Sequence, residues 1–357
     1  MHRRGYLFAL LGLLLVSGLA VLVAVRSDPS DIGEKVDVDD LPVLAKPADV
    51  PGPDDADGWI GSDPLTDASL VGSVVVYDFW TYSCVNCVRT IPYLSAWYDR
   101  YHDDGLEIVG VHSPEFEFEK DPDNVRKAVD DLGVDWPVAL DPEMKIWNAF
   151  GNRYWPAKYI VDRDGALRYY HFGEGGYDEI EDVLRNLLGV AADSPRADDG
   201  GDDSGAPPPR AEQTPETYLG GSRGTTASPE GLQDPDGDGT SGGTADFTVP
   251  DRLSVDTFAL DGRWTIGAES ISADEAGAAI VLRYRGSEVN LVLAAGGEDD
   301  PDATTTVTVT VDDGEPRQVE VGGPDLVNLL KDGPSGEHTI RIESTDAGLA
   351  AYAFTFG

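Results

Sequence analysis

Cys84 and Cys87 are the only cysteines among 357 residues, and two residues, Val85 and Asn86, separate them. A bridge across so short a span closes too small a loop to contribute much folding stability, and two cysteines do not make a stapled scaffold. A zinc site would need about four ligands. The five histidines (His2, His102, His112, His171, His338) show no ligand spacing around the pair, so no metal is expected there. The remaining chemistry is thiol–disulfide exchange, in which the dithiol is itself the redox group and no further cofactor is required.

Such a pair needs elements that make one sulfur reactive and shelter the other. Val74–Trp80 is a short apolar run rich in β-branched and aromatic residues, which predicts a buried central strand. After it, Val85, Val88, Ile91, Leu94, Trp97, Tyr98 and Tyr101 recur at helical spacing, with Pro92 inside the helix. Cys84 then sits at the helix amino terminus, where unpaired backbone donors favour a thiolate, and it is the candidate nucleophile. Cys87 lies one turn on and is the candidate resolving thiol. Asp78 is the one charged residue in a strand that should be inside, which makes it the candidate proton-transfer group.

Beyond the helix, Leu106–Val111 reads as a strand, Pro122–Leu132 as a helix stopped by Gly133, and Trp136–Leu140 as a short strand. Asp141–Phe150 is a further helix. Tyr159–Val161 and Leu167–Phe172 flank the hairpin turn Asp162-Arg163-Asp164-Gly165, and Tyr177–Leu188 closes the domain as an amphipathic helix. Strands interleaved with helices predict an α/β domain over residues 51–190. Residues 191–246 are rich in Gly, Pro, Ser, Thr and Asp and read as a disordered acidic linker. Inside it, Gln213–Gly220 is less random and is a candidate docking patch, while Asp234–Gly239 has the acidic spacing of a calcium loop without its closing glutamate. Residues 247–357 hold several short strands, among them Val289–Leu293, Thr304–Val311 and Ala351–Phe356, and predict an all-β sandwich with no nucleophile–base constellation of its own.

The net charge of −40, from 66 acidic and 26 basic residues, argues against nucleic-acid binding and against a polybasic membrane patch. Acidity spread over the folded parts suits a protein working in concentrated salt. Residues 1–26 begin with His2, Arg3 and Arg4 and continue as an uncharged apolar run, Tyr6–Val25, long enough to cross a bilayer. The positive start leaves the remainder outside the cytoplasm. The expectation is a single-pass anchor followed by an acidic spacer, 27–50; a cleaved signal, and hence a secreted protein, is the alternative.

Asp78-Phe79-Trp80, Cys84-x-x-Cys87 and Pro92 together resemble thioredoxin, although Ser83 and Val85-Asn86 replace the Trp and Gly-Pro of that family. A longer match resembles the soluble part of the DipZ family. It comprises Phe79–Cys87, Gly110–Phe116, Phe118–Pro122, Tyr154–Ala157, His171–Gly175, Thr214–Leu219, Gly262–Thr265 and Ala351–Gly357. The resemblance implies a thioredoxin-like domain followed by a β-domain similar to a carbohydrate-binding module. It implies that Pro156 is the cis-proline facing the dithiol, with Trp155 beside it. Trp155, Pro156, Trp80 and Ser83 are the candidate substrate-contacting residues, and Glu115, Glu117 and Trp147 are weaker candidates for the same groove. DipZ proteins usually begin with a multi-helix membrane electron conduit. Here one apolar segment stands in its place, so the reductant is expected from a separate membrane protein.

The leading expectation is a membrane-tethered, extracytoplasmic oxidoreductase acting on disulfides of exported proteins, apocytochromes c included. The alternatives are a thiol peroxidase, for which a peroxidatic P-x-x-x-T/S-x-x-C arrangement is lacking, and a glycan- or partner-binding protein with a secondary redox domain.

Overall fold

The computed structural model describes residues 40–197, 213–231, 243–296 and 303–357. The expected anchor, most of the spacer and the calcium-like Asp234–Gly239 stretch lie outside these residues. Among the described residues no helix is long and apolar enough to cross a membrane.

The first layer is a six-stranded sheet in the order β1-β4-β3-β2-β5-β6. Its strands are β1 (Gly58–Ile60), β2 (Val74–Trp80), β3 (Leu106–His112), β4 (Val138–Leu140), β5 (Ala157–Val161) and β6 (Leu167–Phe172). β2, β3 and β4 run parallel, while β1, β5 and β6 run antiparallel to their neighbours. The helices are α1 (Asp67–Leu70), α2 (Val85–Tyr101), α3 (Pro122–Leu132), α4 (Lys145–Phe150) and α5 (Tyr177–Leu188). α3 starts where the Asp121 carboxylate accepts from the Asp123 amide at 2.8 Å, and it stops at Gly133, whose φ of +67° is left-handed.

β2 is buried at all seven positions, and strand alternation divides its side chains between two cores. Val75, Tyr77 and Phe79 face Ile146, Trp147 and Phe150 of α4. Val74, Val76 and Trp80 face Leu94 and Trp97 of α2 and Ile180, Val183 and Leu184 of α5. Asp78 shares that second face, so the strand delivers its carboxylate beneath the start of α2.

The second layer is all β. Its eleven strands follow the path β14-β13-β16-β11-β9-β10-β17-β12-β15, with β7 added to β17 and β8 to β9. They span β7 (Thr217–Tyr218), β8 (Thr244–Phe247), β9 (Thr257–Ile266), β10 (Ile271–Ala273), β11 (Ala279–Arg285) and β12 (Val289–Ala294). The others are β13 (Thr305–Val311), β14 (Arg317–Val321), β15 (Asp325–Leu330), β16 (Glu337–Ser344) and β17 (Ala350–Phe356). β9 pairs with β11 up to Asp261 and with β8 and β10 from Gly262 onward. Gly262 has a φ of +83°, which lets one strand pass between the two halves of the sandwich. Phe258, Ile280 and Ile340 from one half meet Leu291, Leu293 and Phe354 from the other in a common core.

The layers share apolar surface as well. Val292 and Ala294 of β12 and Ala350 and Tyr352 of β17 belong to the same core as α2 and α5. The Tyr352 ring meets Phe116 and Phe118 edge-on at 5.3 and 4.9 Å. All the described residues fall in one compact unit.

Three parts of the expected linker are corrected by this arrangement, one of them residues 244–246, which open β8. Arg185 donates to the carbonyls of Ala191, Ser194 and Pro195, which folds that segment back on α5. Residues 213–231 are built into the β-domain: β7 pairs with β17, and Leu219 is fully buried. Docking of Gln213–Gly220 was expected; the continuation to 231, held by Thr226 and Ser228 against Phe258 and Leu260, was not. Truncation by Tyr352→Ala is expected to cost about 3–5 kcal/mol, the usual range for a buried aromatic. Urea unfolding should show one transition at lower denaturant; two separated transitions would show that the layers fold independently.

Candidate active site

The site lies where β2 ends and α2 begins. Cys84 is the N-cap of α2, in extended backbone conformation, half-buried, and its side chain makes no capping hydrogen bond. The first-turn amides of α2 have no partner within the helix, so their partial positive charge lies beside the Cys84 sulfur. Cys87 is 1 % exposed, and both cysteines are free thiols. Burial pushes the Cys87 thiol well up; the adjacent Cys84 sulfur and the Asp78 carboxylate add to the rise, against a backbone hydrogen bond from Thr81. An incoming disulfide can therefore reach Cys84, whereas Cys87 can attack only a sulfur already bound at Cys84.

Asp78 is 2 % exposed and faces Lys158 across the β2–β5 ladder. The Lys158 ammonium lies 3.1 Å from the Asp78 carboxylate and is itself 1 % exposed. Burial raises the Asp78 carboxyl above its ordinary range, and the Lys158 charge opposes that rise. The contact is ionic in distance but poorly aligned: neither Asp78 Oδ1 nor Lys158 Nζ has a well-directed hydrogen-bond partner. A carboxyl raised in this way, and near enough to Cys87 to raise its thiol, is placed to exchange a proton with it. Lys158 was not among the sequence candidates. The signal lay in β5, where alternation places a lysine on the same inner face as Ile160.

The Trp155-Pro156 peptide bond is cis. Trp155 is half-buried, packs against Trp147 in a tilted arrangement with ring centroids 4.2 Å apart, and donates its indole N–H to the Ser113 carbonyl at 2.9 Å. Trp80 and Ser83, expected to contact substrate, are each 2 % exposed and cannot do so in this structure. Trp80 ends an inward-facing strand and packs edge-on against His112 at 5.3 Å. Ser83 instead donates its hydroxyl to Glu119 at 2.6 Å. Of the weaker groove candidates, Trp147 is core, Glu117 is exposed and bound to Lys120, and Glu115 is engaged by Arg223 and Tyr218.

Glu119 is the second residue that sequence reasoning missed. It is 1 % exposed, and its two oxygens accept from the Ser83 hydroxyl and from the amides of Glu115 and Phe116, at 2.6, 2.6 and 3.0 Å. It thus ties the loop before Cys84 to the loop after β3. Burial raises its carboxyl, and these hydrogen bonds lower it. Behind the same loop, His112 is buried and pushed down to about 3, so it is neutral and stacks on Tyr82 at 5.7 Å. Glu119→Ala removes charged hydrogen-bond acceptors, worth about 1.5–3 kcal/mol each in such settings. Urea denaturation should show a loss of at least one such contribution, with slower exchange at Cys84 because its approach loop is no longer fixed.

Residues 214–357 match the family described as "Thioredoxin like C-terminal domain", and residues 53–170 match the AhpC/TSA family. DipZ of Mycobacterium bovis is 37% identical over 84% of this chain and 41% of its own length. The chain thus spans about two fifths of that relative. The thiol-disulfide oxidoreductase YkuV of Bacillus subtilis is 29% identical over 36% of this chain and 87% of its own. A solved thiol-disulfide isomerase from Corynebacterium glutamicum is 23% identical, covers 43% of this chain and 99% of its own, and superposes with a TM-score of 0.34.

Proposed function

Because this chain belongs to the DipZ family of thioredoxin-like proteins, we propose that it is a thiol–disulfide oxidoreductase that reduces or exchanges disulfides in proteins outside the cytoplasm. The observation that carries the reading is the half-buried Cys84 at the head of α2, above the buried Cys87 and the buried Asp78–Lys158 pair. The Cys84 thiolate attacks a substrate disulfide, forms a mixed disulfide and releases one substrate thiolate, which takes up a proton. Cys87 passes its proton toward Asp78, attacks the Cys84 sulfur and releases the second substrate thiol. Two electrons have moved from the dithiol to the substrate, and a Cys84–Cys87 disulfide remains.

The apolar run Tyr6–Val25 supports a membrane tether with the catalytic layer outside. A separate membrane protein would return two electrons to the oxidised pair, and apocytochromes c are among the substrates proposed. The reduced protein should cleave insulin disulfides, and its potential should lie at or below about −220 mV, in the range of reducing dithiol proteins. A potential near −120 mV would reverse the direction, and failure to exchange with any disulfide would reject the function. The AhpC/TSA match gives a second reading, peroxide reduction at Cys84. Peroxide turnover comparable to disulfide turnover would favour it.

A further inference from the structure

The first turn of α2 does not open only to solvent. Beside it lies a cleft of about 540 Å³ between the two layers. Val85 and Asn86, the two residues between the cysteines, form part of one wall with Arg89 and Glu174. The facing wall belongs to the β-domain and to the segment that leads into β7, and it carries Glu216 and Glu288. A group seated in this cleft lies against Val85 and Asn86, the two residues that follow Cys84 in the chain.

The charges in the cleft are unbalanced and held in place. Arg89 is its one cation, and it already serves two carboxylates, Glu288 at 2.5 Å and Glu174 at 3.6 Å. Asn328 and Asn290 donate to the other Glu288 oxygen at 3.1 and 3.3 Å, which orients that side chain. Glu216 accepts from the Tyr218 hydroxyl at 2.6 Å. Burial and the neighbouring Glu115 carboxylate push the Glu216 carboxyl up to about 7, with the Tyr218 hydroxyl and Arg223 opposing. The cleft lining thus carries three carboxyl groups and one guanidinium, and that guanidinium is engaged by Glu174 and Glu288. The shared core through Tyr352 fixes the second wall relative to α2, so the cleft is not the gap between two loosely tethered domains.

We propose that this interlayer cleft is the substrate-docking subsite of the dithiol, and that it selects polypeptide disulfides carrying a lysine or arginine close to the target cysteine. The inference rests on the exchange function proposed above and assigns the β-domain a share in substrate choice. A basic side chain entering beside Val85-Asn86 adds a second cation to a cleft lined by Glu174, Glu216 and Glu288 while its neighbouring disulfide meets Cys84.

The test compares two fluorogenic peptide disulfides, identical except for Lys or Glu flanking the cysteine, reduced by the full chain at constant salt. The rate ratio, basic over acidic, should be about fivefold or more, as expected for one or two well-placed charges. Glu216→Gln and Glu288→Gln, each read separately, should lower that ratio about threefold. Glu315→Gln with Glu320→Gln, exposed and at the other end of the β-domain strand path, should leave it unchanged. A wild-type ratio near one or below one overturns the proposal, as does a ratio that falls equally in the distant control, which would show general attraction to an acidic protein. Turnover of hydroxyethyl disulfide by the wild-type chain, lost in Cys84→Ser, reports the exchange chemistry independently of the cleft.

Discussion

Cys84→Ser should reduce disulfide turnover to background, a fall of about a thousandfold or more, as expected when a covalent nucleophile is removed. Cys87→Ala should behave differently: one half-reaction proceeds, and the protein accumulates as a mixed disulfide. The asymmetry follows from placement. Cys84 is half-buried at a helix amino terminus, whereas Cys87 is 1 % exposed with its thiol pushed up by burial. A thiol with so little access cannot start the reaction. Once Cys84 is bound to substrate, Cys87 is the thiol within reach of that bond. Steady-state insulin reduction by both variants, with the wild-type chain as reference, checks this.

The second large effect concerns the buried Asp78–Lys158 pair. Breaking such a pair from one side leaves an uncompensated charge, so Lys158→Met should lose about 3 kcal/mol or more at pH 8. The sign with pH follows from the direction of the Asp78 shift. Its carboxyl is raised in the folded state, so the stability linked to its proton is complete below the unfolded value near 4 and is lost as pH rises through the folded value. Removing Lys158 raises that folded value further. The deficit should therefore be smallest at the acid end and grow as pH rises, measured as urea midpoints from pH 4 to pH 8. Asp78→Asn should leave the first exchange step intact and slow resolution by about a hundredfold, the usual contribution of a positioned base. Resolution in that variant should then rise steadily with pH, because hydroxide replaces the carboxylate.

Much of this was legible in the residues. β2, α2, α3 and α5 follow their periodicity closely, and the C-x-x-C falls at the predicted helix start because Val85 begins the apolar spacing. Asp78 stood out as a charge in an inward-facing strand. Lys158 carried the same signal in β5 but was not read, since its partner lies 80 positions away in sequence and only the antiparallel β2–β5 register brings them together. Trp80 and Ser83 looked like contact residues because they flank the motif. Proximity in sequence does not reveal that β2 turns the Trp80 side chain inward, or that Ser83 is held by Glu119. The contact between the layers was equally hidden. β12 and β17 are buried along their whole length, the pattern of strands covered on both faces rather than one. Read as ordinary sandwich strands, they gave no sign that one face would cover the first domain and complete a cleft beside the dithiol.

The most direct test of the account is the intact mass of Cys87→Ala after reaction with a disulfide-bonded peptide, followed by peptide mapping. The account predicts one peptide adduct, carried on Cys84 and released by dithiothreitol. An adduct absent from Cys87→Ala but present on Cys87 in Cys84→Ala would contradict it.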